Sequence, residues 1–310
     1  MLLELIKAAI YGVVEGVTEW LPISSTGHML LLDQFVSLGV SQDFWDMFLV
    51  VIQLGAILAV VVLFFHDLNP LAGDKSKKER RFTWSLWAKI VVACLPAAVI
   101  GIPLDNWMER HLGSPFVIAA ALIVYGVAFI VIEGRRAREA KLPVGPAPAH
   151  LAAPADVVGA RASHATSAGQ LADARARVRS LQELGWGTAI GIGLFQVLSI
   201  VPGTSRSGST IIGGLILGCS RAVAAEFTFF LAVPVMVGAS GLRLVKYVLK
   251  GNGFAPDETL ILLVGCLVAF LVSLAAIRFL MGFVKRHDFR PFGWYRIALG
   301  VAVIGYFLMA

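Results

Sequence analysis

Charged side chains are scarce in this chain. Only 15% of its 310 residues are Asp, Glu, Lys or Arg, whereas 58% are hydrophobic and the mean hydropathy is +0.81. A soluble domain carries about 25% charged residues, and several apolar segments here reach the roughly 20 residues that cross a bilayer. The composition therefore excludes an ordinary soluble domain and predicts an integral membrane protein.

Several signals of other protein classes are missing as well. The three cysteines, Cys94, Cys219 and Cys266, lie inside apolar runs without the spacing of metal ligands, so we interpret them as packing residues. No Walker loop is present, which argues against nucleotide as an energy source. Before Glu15 the chain has one lysine and no small-residue cleavage site, so a removable signal peptide is not expected.

Hydrophobic segments predict an all-α polytopic membrane protein. Two regions, 1–40 and 185–219, are hydrophobic but interrupted near their middle by Pro22 and Pro202. Broken backbone at membrane depth survives only where protein or a water-filled cavity covers it, so each region is predicted to be a re-entrant helical hairpin. The six predicted full spans are 46–65, 84–104, 116–133, 224–248, 258–281 and 293–310.

The distribution of basic residues predicts the orientation. More than half of the 26 lysine and arginine residues lie in the segments 66–83, 134–184 and 282–292, which share one side and should be cytoplasmic by the positive-inside rule. Lys246 and Lys250 are minority evidence against this orientation. Because the basic residues gather in short loops and not on an amphipathic face, membrane lipids rather than nucleic acid are the expected partners.

This orientation predicts two halves that are inverted copies of each other. The first half, residues 1–134, would begin with the hairpin 1–40 entering from the outer face. The second half, residues 184–310, would begin with the hairpin 185–219 entering from the cytoplasm. Inverted repeats bring broken helices face to face near the bilayer midplane, where substrate sites of such folds usually lie.

The segment 135–183, rich in alanine and arginine, separates the two halves. It is expected to form a mobile or partly helical cytoplasmic loop. Within it, residues 171–183 would form either a basic surface helix or a solvated linker.

Two carboxylates four residues apart lie in the first hairpin. Glu15 and Glu19 therefore share one face of its helix. Two acids stacked in a low-dielectric site cannot both stay charged cheaply, so either one is protonated, giving a general acid beside a base, or a divalent cation or an arginine neutralises the pair. Both are candidates for catalysis and for metal binding; the simpler alternative is an exposed helix end.

A run of hydroxyl side chains follows the proline of the first hairpin. Ser24, Ser25 and Thr26 precede an apolar run in the form of a helix N-cap, but capping would explain only one of the three hydroxyls. Together with Gly27 they can offer hydroxyl and backbone N–H groups to a phosphate at a helix N-terminus. His28 can reach a hydroxyl or a phosphate oxygen and titrates in a useful range, although packing is its simpler role.

The second hairpin carries a similar turn with an arginine in place of the acids. Its glycines and hydroxyls resemble a phosphate nest, and Arg206 is a fork-shaped partner for an anion. A charge between apolar hairpin arms is costly, so Arg206 is expected to bind an anion or to pair with Glu15 or Glu19. The predicted phosphate-binding residues of this turn are Gly203, Thr204, Ser205, Ser207 and Thr210.

Carboxylates, hydroxyls, a histidine and an arginine are thus expected to converge at membrane depth without any cofactor motif. This inventory suits hydrolysis of a phosphate ester or anhydride whose apolar tail stays in the bilayer. A transporter or lipid flippase is the alternative from another class, because inverted repeats with opposed broken helices are the architecture of alternating access. Phosphate release in detergent, without any gradient, would separate the two functions.

At these two motifs the chain resembles the undecaprenyl pyrophosphate phosphatase family, of the bacitracin-resistance type. The first mark of that family is a Glu-x-x-x-Glu stretch running into Pro-x-Ser-Ser-Thr-Gly-His, matched here from Glu15 to His28. The second is Pro-Gly-x-Ser-Arg-Ser-Gly-x-Thr, matched from Pro202 to Thr210. The two marks in this order are specific to the family, and the layout of the spans agrees over nearly the whole chain.

The resemblance implies removal of the terminal phosphate from undecaprenyl diphosphate, which regenerates the lipid carrier for peptidoglycan synthesis and confers bacitracin resistance. It also implies dependence on a divalent cation, Mg²⁺ or Ca²⁺, and a place in the bacterial inner membrane with the active site facing the periplasm. The nucleophile stays open among Ser25, His28 and water, and a homodimer stays open as the assembly. The functional residues of the family correspond to Glu15, Glu19, Ser25, His28 and Arg206, with Ser24, Thr26, Ser205 and Thr210 around them.

Overall fold

The computed structural model describes residues 1–142 and 168–309, and its regular structure within these ranges is helical, without a β-strand. The prediction of an all-α protein is therefore confirmed. The helices are α1 (Leu2–Thr18), α2 (Ser25–Asp33), α3 (Gln42–Leu63), α4 (Phe65–Leu68), α5 (Lys77–Leu112), α6 (Pro115–Glu139), α7 (Ala168–Ala174), α8 (Trp186–Val197), α9 (Arg206–Ile216), α10 (Arg221–Leu249), α11 (Pro256–Val284) and α12 (Arg290–Met309). A short 3₁₀ turn, Leu198–Ile200, follows α8.

Six of these helices are long and apolar enough to cross a membrane: α3, the part of α5 up to Gly101, α6, α10, α11 and α12. Each overlaps one of the six predicted spans, so the predicted set of spans is confirmed. The largest difference is in α5, which continues through Pro96 and Pro103 to Leu112. An internal proline removes one backbone hydrogen bond but does not always end a helix in an apolar setting, where neighbouring groups replace the bond.

Both interrupted regions form two short helices separated by a turn. In the first region α1 ends at Thr18 and α2 begins at Ser25, and in the second α8 ends at Val197 and α9 begins at Arg206. The breaks therefore lie around the two prolines, as the sequence predicts. The entry of the two pairs into a membrane from opposite faces stays a prediction.

The short helix pairs pack against the other half of the chain. Helix α1 lies along α11 and α8 lies along α5, while α3 packs against α10 and α6 against α12. Glycines allow the backbones to approach closely, as at helix interfaces in membranes generally. A Cβ added at Gly12 of α1 would lie 2.7 Å from the Gly265 oxygen of α11, and one added at Gly193 of α8 would clash with the Ala93 oxygen of α5.

A buried ion-pair cluster fixes the segment that follows residue 168. Arg221 is 2% exposed, and its Nε and Nη2 donate to the two oxygens of Glu133 at 2.7 and 2.6 Å. Its Nη1 donates to Asp173 Oδ2 at 2.8 Å, and Asp173 also accepts a hydrogen bond from Arg136. Since Asp173 belongs to α7, this cluster ties α7 to α6 and α10.

Residues 171–183 form neither the single surface helix nor the solvated linker expected from the sequence. Helix α7 ends at Ala174, so these residues do not form one surface helix. They are also not a solvated linker, because Leu181 and Leu184 are buried and Val178 exchanges backbone hydrogen bonds with Gly218 and Ser220. The remainder of the predicted loop, 143–167, lies outside the described residues.

Removing one partner of the buried cluster should destabilise the protein strongly. Glu133→Gln leaves the Arg221 guanidinium buried with Asp173 as its remaining carboxylate partner in the cluster. Removing one partner of a buried ion pair typically costs about 3–5 kcal/mol. We expect a clear fall in the midpoint of thermal unfolding in detergent. Glu183→Gln, which removes one partner of the more exposed pair with Arg179, should change the midpoint little. Equal midpoints for the two variants would contradict a stabilising role for the cluster.

Candidate active site

The two breaks share an unusual backbone conformation. Ser24 and Ser205 have φ angles of 73° and 70°, and each immediately precedes a helix, α2 or α9. Among the described residues they are the two non-glycine residues with positive φ. Such conformations cost on the order of 1–3 kcal/mol and cluster at functional sites. The similarity of the two sequence motifs therefore extends to a shared strained turn.

Three predicted catalytic residues meet where the two turns face each other. Ser25 Oγ donates a hydrogen bond to Glu19 Oε2 at 2.9 Å. Arg206 Nη2 donates to the other carboxylate oxygen, Glu19 Oε1, also at 2.9 Å. Glu19 is thus the link between a hydroxyl from one turn and a guanidinium from the other. The predicted pairing of Arg206 with an acid of the first hairpin is present in the structure.

The second carboxylate lies one helical turn before this link. Glu15 is 1% exposed, and its Oε1 has no hydrogen-bond partner among the described residues. An unpaired buried carboxylate oxygen is costly unless it is protonated or a ligand supplies the missing partner. Glu15 therefore offers an unused carboxylate oxygen near the Glu19 and Arg206 pair.

The hydroxyls of the second turn are engaged within the protein. Ser207 Oγ donates to the backbone oxygen of Glu19 at 3.1 Å, which adds a second contact between the turns. Thr204 Oγ1 bonds the backbone of its own turn, and Ser205 Oγ accepts from the Gly208 N–H. Thr210 Oγ1 donates to the Arg206 carbonyl at 2.9 Å and is fully buried. In this structure these four hydroxyls stabilise the turn.

Two predicted glycines permit close approach of backbone. Gly203 has φ +92°, and a Cβ added there would lie 2.6 Å from the Ile118 oxygen of α6. A Cβ at Gly27 would lie 3.1 Å from Leu122 Cδ1, a tighter contact than usual. The absence of a side chain at both positions therefore lets each turn of the site pack closely against α6.

His28 lies beside the first turn, but its ring does not bond Ser25. Its Nδ1 is 2.7 Å from the Ser24 backbone oxygen, so the ring donates there, and its Nε2 is 2.7 Å from Tyr295 Oη. The two rings are stacked with centroids 5.6 Å apart. In place of a hydroxyl of the first turn, the ring contacts the hydroxyl of Tyr295 in α12. Sequence reasoning missed Tyr295 because it lies more than 260 residues further along the chain.

The remaining predicted residues of the first turn differ in exposure. Ser24 Oγ is buried and has no hydrogen-bond partner among the described residues. The side chain of Thr26, one position after Ser25, is exposed. Of the predicted phosphate-binding hydroxyls in this turn, that of Thr26 is therefore the one open to the surroundings.

A second arginine, missed by the sequence analysis, joins the two turns. Arg296 of α12 is fully buried, and its Nη1 donates to the Pro22 carbonyl at 3.2 Å. Its Nη2 donates to the carbonyls of Gly203 and Thr204 at 2.8 and 2.9 Å. The guanidinium also lies over the ring of Tyr125. A charge inside the predicted span 293–310 was the available signal, because intramembrane charges are rare and functional by default.

A cavity of about 590 Å³ opens beside Arg206, and Arg206 is part of its lining. Most of the lining is apolar and comes from α3, α5, α10 and the 3₁₀ turn after α8. The other polar side chains that line it are Gln196, Ser199, Arg243 and Lys246. A cavity with an arginine at the site and apolar walls suits an anionic group carried on a hydrocarbon chain.

The donor set fits a hard divalent cation bound together with a phosphate. Mg²⁺ and Ca²⁺ take oxygen ligands, and Mg²⁺ is commonly held by one or two carboxylates plus substrate phosphates. Glu15 Oε1 is an unused carboxylate oxygen close to Glu19. No cluster of three or more His, Cys, Asp or Glu side chains suited to a metal occurs among the described residues, so phosphate oxygens would have to complete the coordination.

Comparison with known proteins agrees with the motifs. The family model described as bacitracin resistance protein BacA matches residues 8–302. An undecaprenyl-diphosphatase from Streptococcus thermophilus is 50% identical over 305 residues, covering 98% of this chain and 94% of its own. Proteins of the same name from Limosilactobacillus fermentum and Enterococcus faecalis are 49% and 46% identical, the first covering 99% of both chains and the second 98%.

The Glu19, Ser25 and Arg206 arrangement thus occurs in a chain whose similarity to these proteins extends over nearly its full length. A family match of this extent, together with identities near one half, shows that the chain belongs to the bacitracin resistance protein BacA family.

Proposed function

We propose that this chain hydrolyses undecaprenyl diphosphate to undecaprenyl phosphate and inorganic phosphate in a bacterial plasma membrane. The reaction would return the lipid carrier to cell-wall synthesis and confer bacitracin resistance. The observation that carries the proposal is the contact of Glu19 with both Ser25 and Arg206, which joins a nucleophile, a base and an anion-binding group. The names of the relatives support the same reaction.

The terminal phosphate would bind where the two turns face each other. Helices α2 and α9 both begin there, and a helix N-terminus attracts anions through its free N–H groups and its dipole. Arg206 can present two parallel N–H groups to phosphate oxygens. A phosphate that engages Arg206 would draw it from Glu19, because both anions compete for the same guanidinium.

This competition would activate the base only when substrate is present. While Arg206 is paired with Glu19, it occupies one oxygen of the carboxylate that is to receive the proton. Once Arg206 turns to the phosphate, Glu19 is left beside the Ser25 hydroxyl at hydrogen-bond distance. The ion pair of the resting structure is thus compatible with a catalytic role for both partners.

In the chemical step, Ser25 Oγ attacks the terminal phosphorus and its proton passes to Glu19. The bond from that phosphorus to the bridging oxygen breaks, and undecaprenyl phosphate leaves with the proton that Glu19 passes on. Water then hydrolyses the phosphoserine, releasing inorganic phosphate and restoring the serine hydroxyl. Arg206 and the helix N-termini would stabilise the charge on the transferred group, as in phosphoryl transfer generally.

Glu15 and His28 would support this step in different ways. Glu15, with phosphate oxygens, would hold a Mg²⁺ or Ca²⁺ ion, which when bound would offset the charge of the diphosphate. His28 would hold the strained turn through its bond to the Ser24 carbonyl and is itself oriented by Tyr295. A nucleophilic His28 and an activated water are the alternatives to Ser25, and the Ser25→Ala variant below tests Ser25 against both.

The position of the cavity supports an active site that faces the periplasm. The cavity follows α10 from Pro234 to Lys246, towards the C-terminal end of that helix. The predicted orientation places this end outside, because α10 begins at the basic cytoplasmic side. With inverted halves 1–134 and 184–310, the broken helices would meet inside the membrane and open outward.

A lipid transporter or flippase is the second candidate, and the paired broken helices are the observation that favours it. Detergent-purified protein given undecaprenyl diphosphate and Mg²⁺ or Ca²⁺ should release inorganic phosphate without any gradient. Release should stop on chelation of the metal and fall about 10³-fold in Arg206→Ala, because the arginine stabilises the transferred phosphoryl group. No release from folded protein would favour transport.

Ser25→Ala should abolish hydrolysis while leaving the substrate bound. We expect kcat to fall about 10³-fold or more, because no hydroxyl remains to attack phosphorus. Substrate binding should persist, measured by thermal stabilisation with undecaprenyl diphosphate. Ser114→Ala, which removes a capping serine at the start of α6, is the matched control and should keep full activity. Near-normal activity of Ser25→Ala would favour water or His28 as the nucleophile.

Arg296 should act as a positioning residue for both turns. Arg296→Met leaves the carbonyls of Pro22, Gly203 and Thr204 without their donor, and a shift of about 1 Å at a catalytic group can cost about 10²-fold in rate. We expect kcat to fall by about that factor with a smaller change in KM. Arg296→Lys, whose ammonium still offers three donors, should recover part of kcat. Equal kcat values for the Met variant and the wild type would refute this role.

A further inference from the structure

One face of α10 forms a continuous wall of the cavity. The residues involved recur with helical spacing, so they share one side of the helix. Gly238 and Ala239, in the middle of the wall, are small and leave room for a ligand, whereas Arg243 and Lys246 follow at its far end. The full set on this face is Pro234, Val235, Gly238, Ala239, Leu242, Arg243 and Lys246.

Arg243 and Lys246 follow the part of α10 that Arg206 contacts. Arg206 Nη2 lies 3.9 Å from Met236 Sδ, which fixes the point where α10 passes the active site. At about 1.5 Å per residue, Arg243 and Lys246 lie about 10 and 15 Å further along the helix axis. The backbone positions of both cations therefore lie beyond the part of α10 that Arg206 contacts. The far end of the cavity is therefore a separate location along the same path.

Both cations are without a carboxylate partner in the part of the chain that the structure describes. Lys250, the residue directly after α10, pairs with Asp43, but neither Arg243 nor Lys246 forms an ion pair there. Two unpaired positive charges at the end of a cavity with low-dielectric walls focus a field that attracts anions. Positive charges within an apolar span also mark ion pathways.

We propose that Arg243 and Lys246 form a second anion subsite, which binds one phosphate group between the outside and Arg206. The proposal rests on the proposed hydrolysis and adds a step to it. The phosphate has two sources of the same chemistry: the head group of an arriving lipid diphosphate, or inorganic phosphate that leaves after cleavage. The subsite also gives a role to Lys246, which lies on the predicted outer side although the positive-inside rule favours lysines on the cytoplasmic side.

The test compares two double variants of the full-length protein in detergent. Arg243→Met with Lys246→Met removes the subsite. Arg278→Met with Arg286→Met removes the same charge from exposed positions that do not line the cavity, and serves as the matched control. Arg243→Gln with Lys246→Gln repeats the test with polar side chains, in case the methionine pair perturbs folding. The measured quantities are kcat, KM for undecaprenyl diphosphate and Ki of inorganic phosphate, each at low and high salt.

If the subsite captures the lipid head group, KM should rise about 10-fold at low salt, kcat should stay within about twofold, and the difference should shrink at high salt. If it passes on the product, the Ki of inorganic phosphate should rise while KM stays unchanged. Either outcome supports the subsite. Kinetic constants equal to those of the control would overturn it.

If the wild type releases no phosphate, the hydrolysis proposal fails and the subsite is tested by binding alone. Inorganic phosphate titrated into wild type and variants by calorimetry then decides the matter. Weaker binding in the Arg243 and Lys246 variant than in the control supports the subsite, and equal binding rejects it.

Discussion

Backbone groups freed by the two broken turns need donors, and the rest of the site depends on how that need is met. In apolar surroundings each unsatisfied carbonyl costs several kcal/mol. Arg296 supplies donors to carbonyls of both turns from one buried guanidinium. With both turns fixed to the same group, Glu19 and Arg206 come within hydrogen-bond distance although they are 187 residues apart in the chain.

The two turns have a similar backbone conformation but carry side chains of different chemistry. Ser24 and Ser205 have nearly the same φ, yet the following residue is a serine hydroxyl in one turn and an arginine in the other. Two turns of similar backbone conformation can therefore carry complementary groups: a carboxylate and hydroxyl on one side, and a fixed cation on the other. The site needs both turns, because the base Glu19 would not bind a diphosphate without the cationic Arg206.

The sequence predicted what is local and left out what depends on distant packing. The six spans and the interruptions at Pro22 and Pro202 were predictable because a membrane demands long apolar runs, and broken ones stand out. The motif residues were predictable because their chemistry lies within a few positions. Tyr295 and Arg296 reach the site only through the packing of α12 on α6, which no local pattern encodes. The cluster around Arg221 likewise required the fold, because its acids come from two distant helices.

The glycine contacts of α1 and α8 have a mechanical consequence. Gly12 and Gly16 press α1 against the backbone of α11, and Gly193 does the same for α8 against α5. Each broken helix is thus clasped by the half of the chain to which it does not belong. A swing of one half past the other would pull backbone from backbone at both contacts. These contacts therefore favour a fixed arrangement of the two halves around the site over a movement of one half past the other.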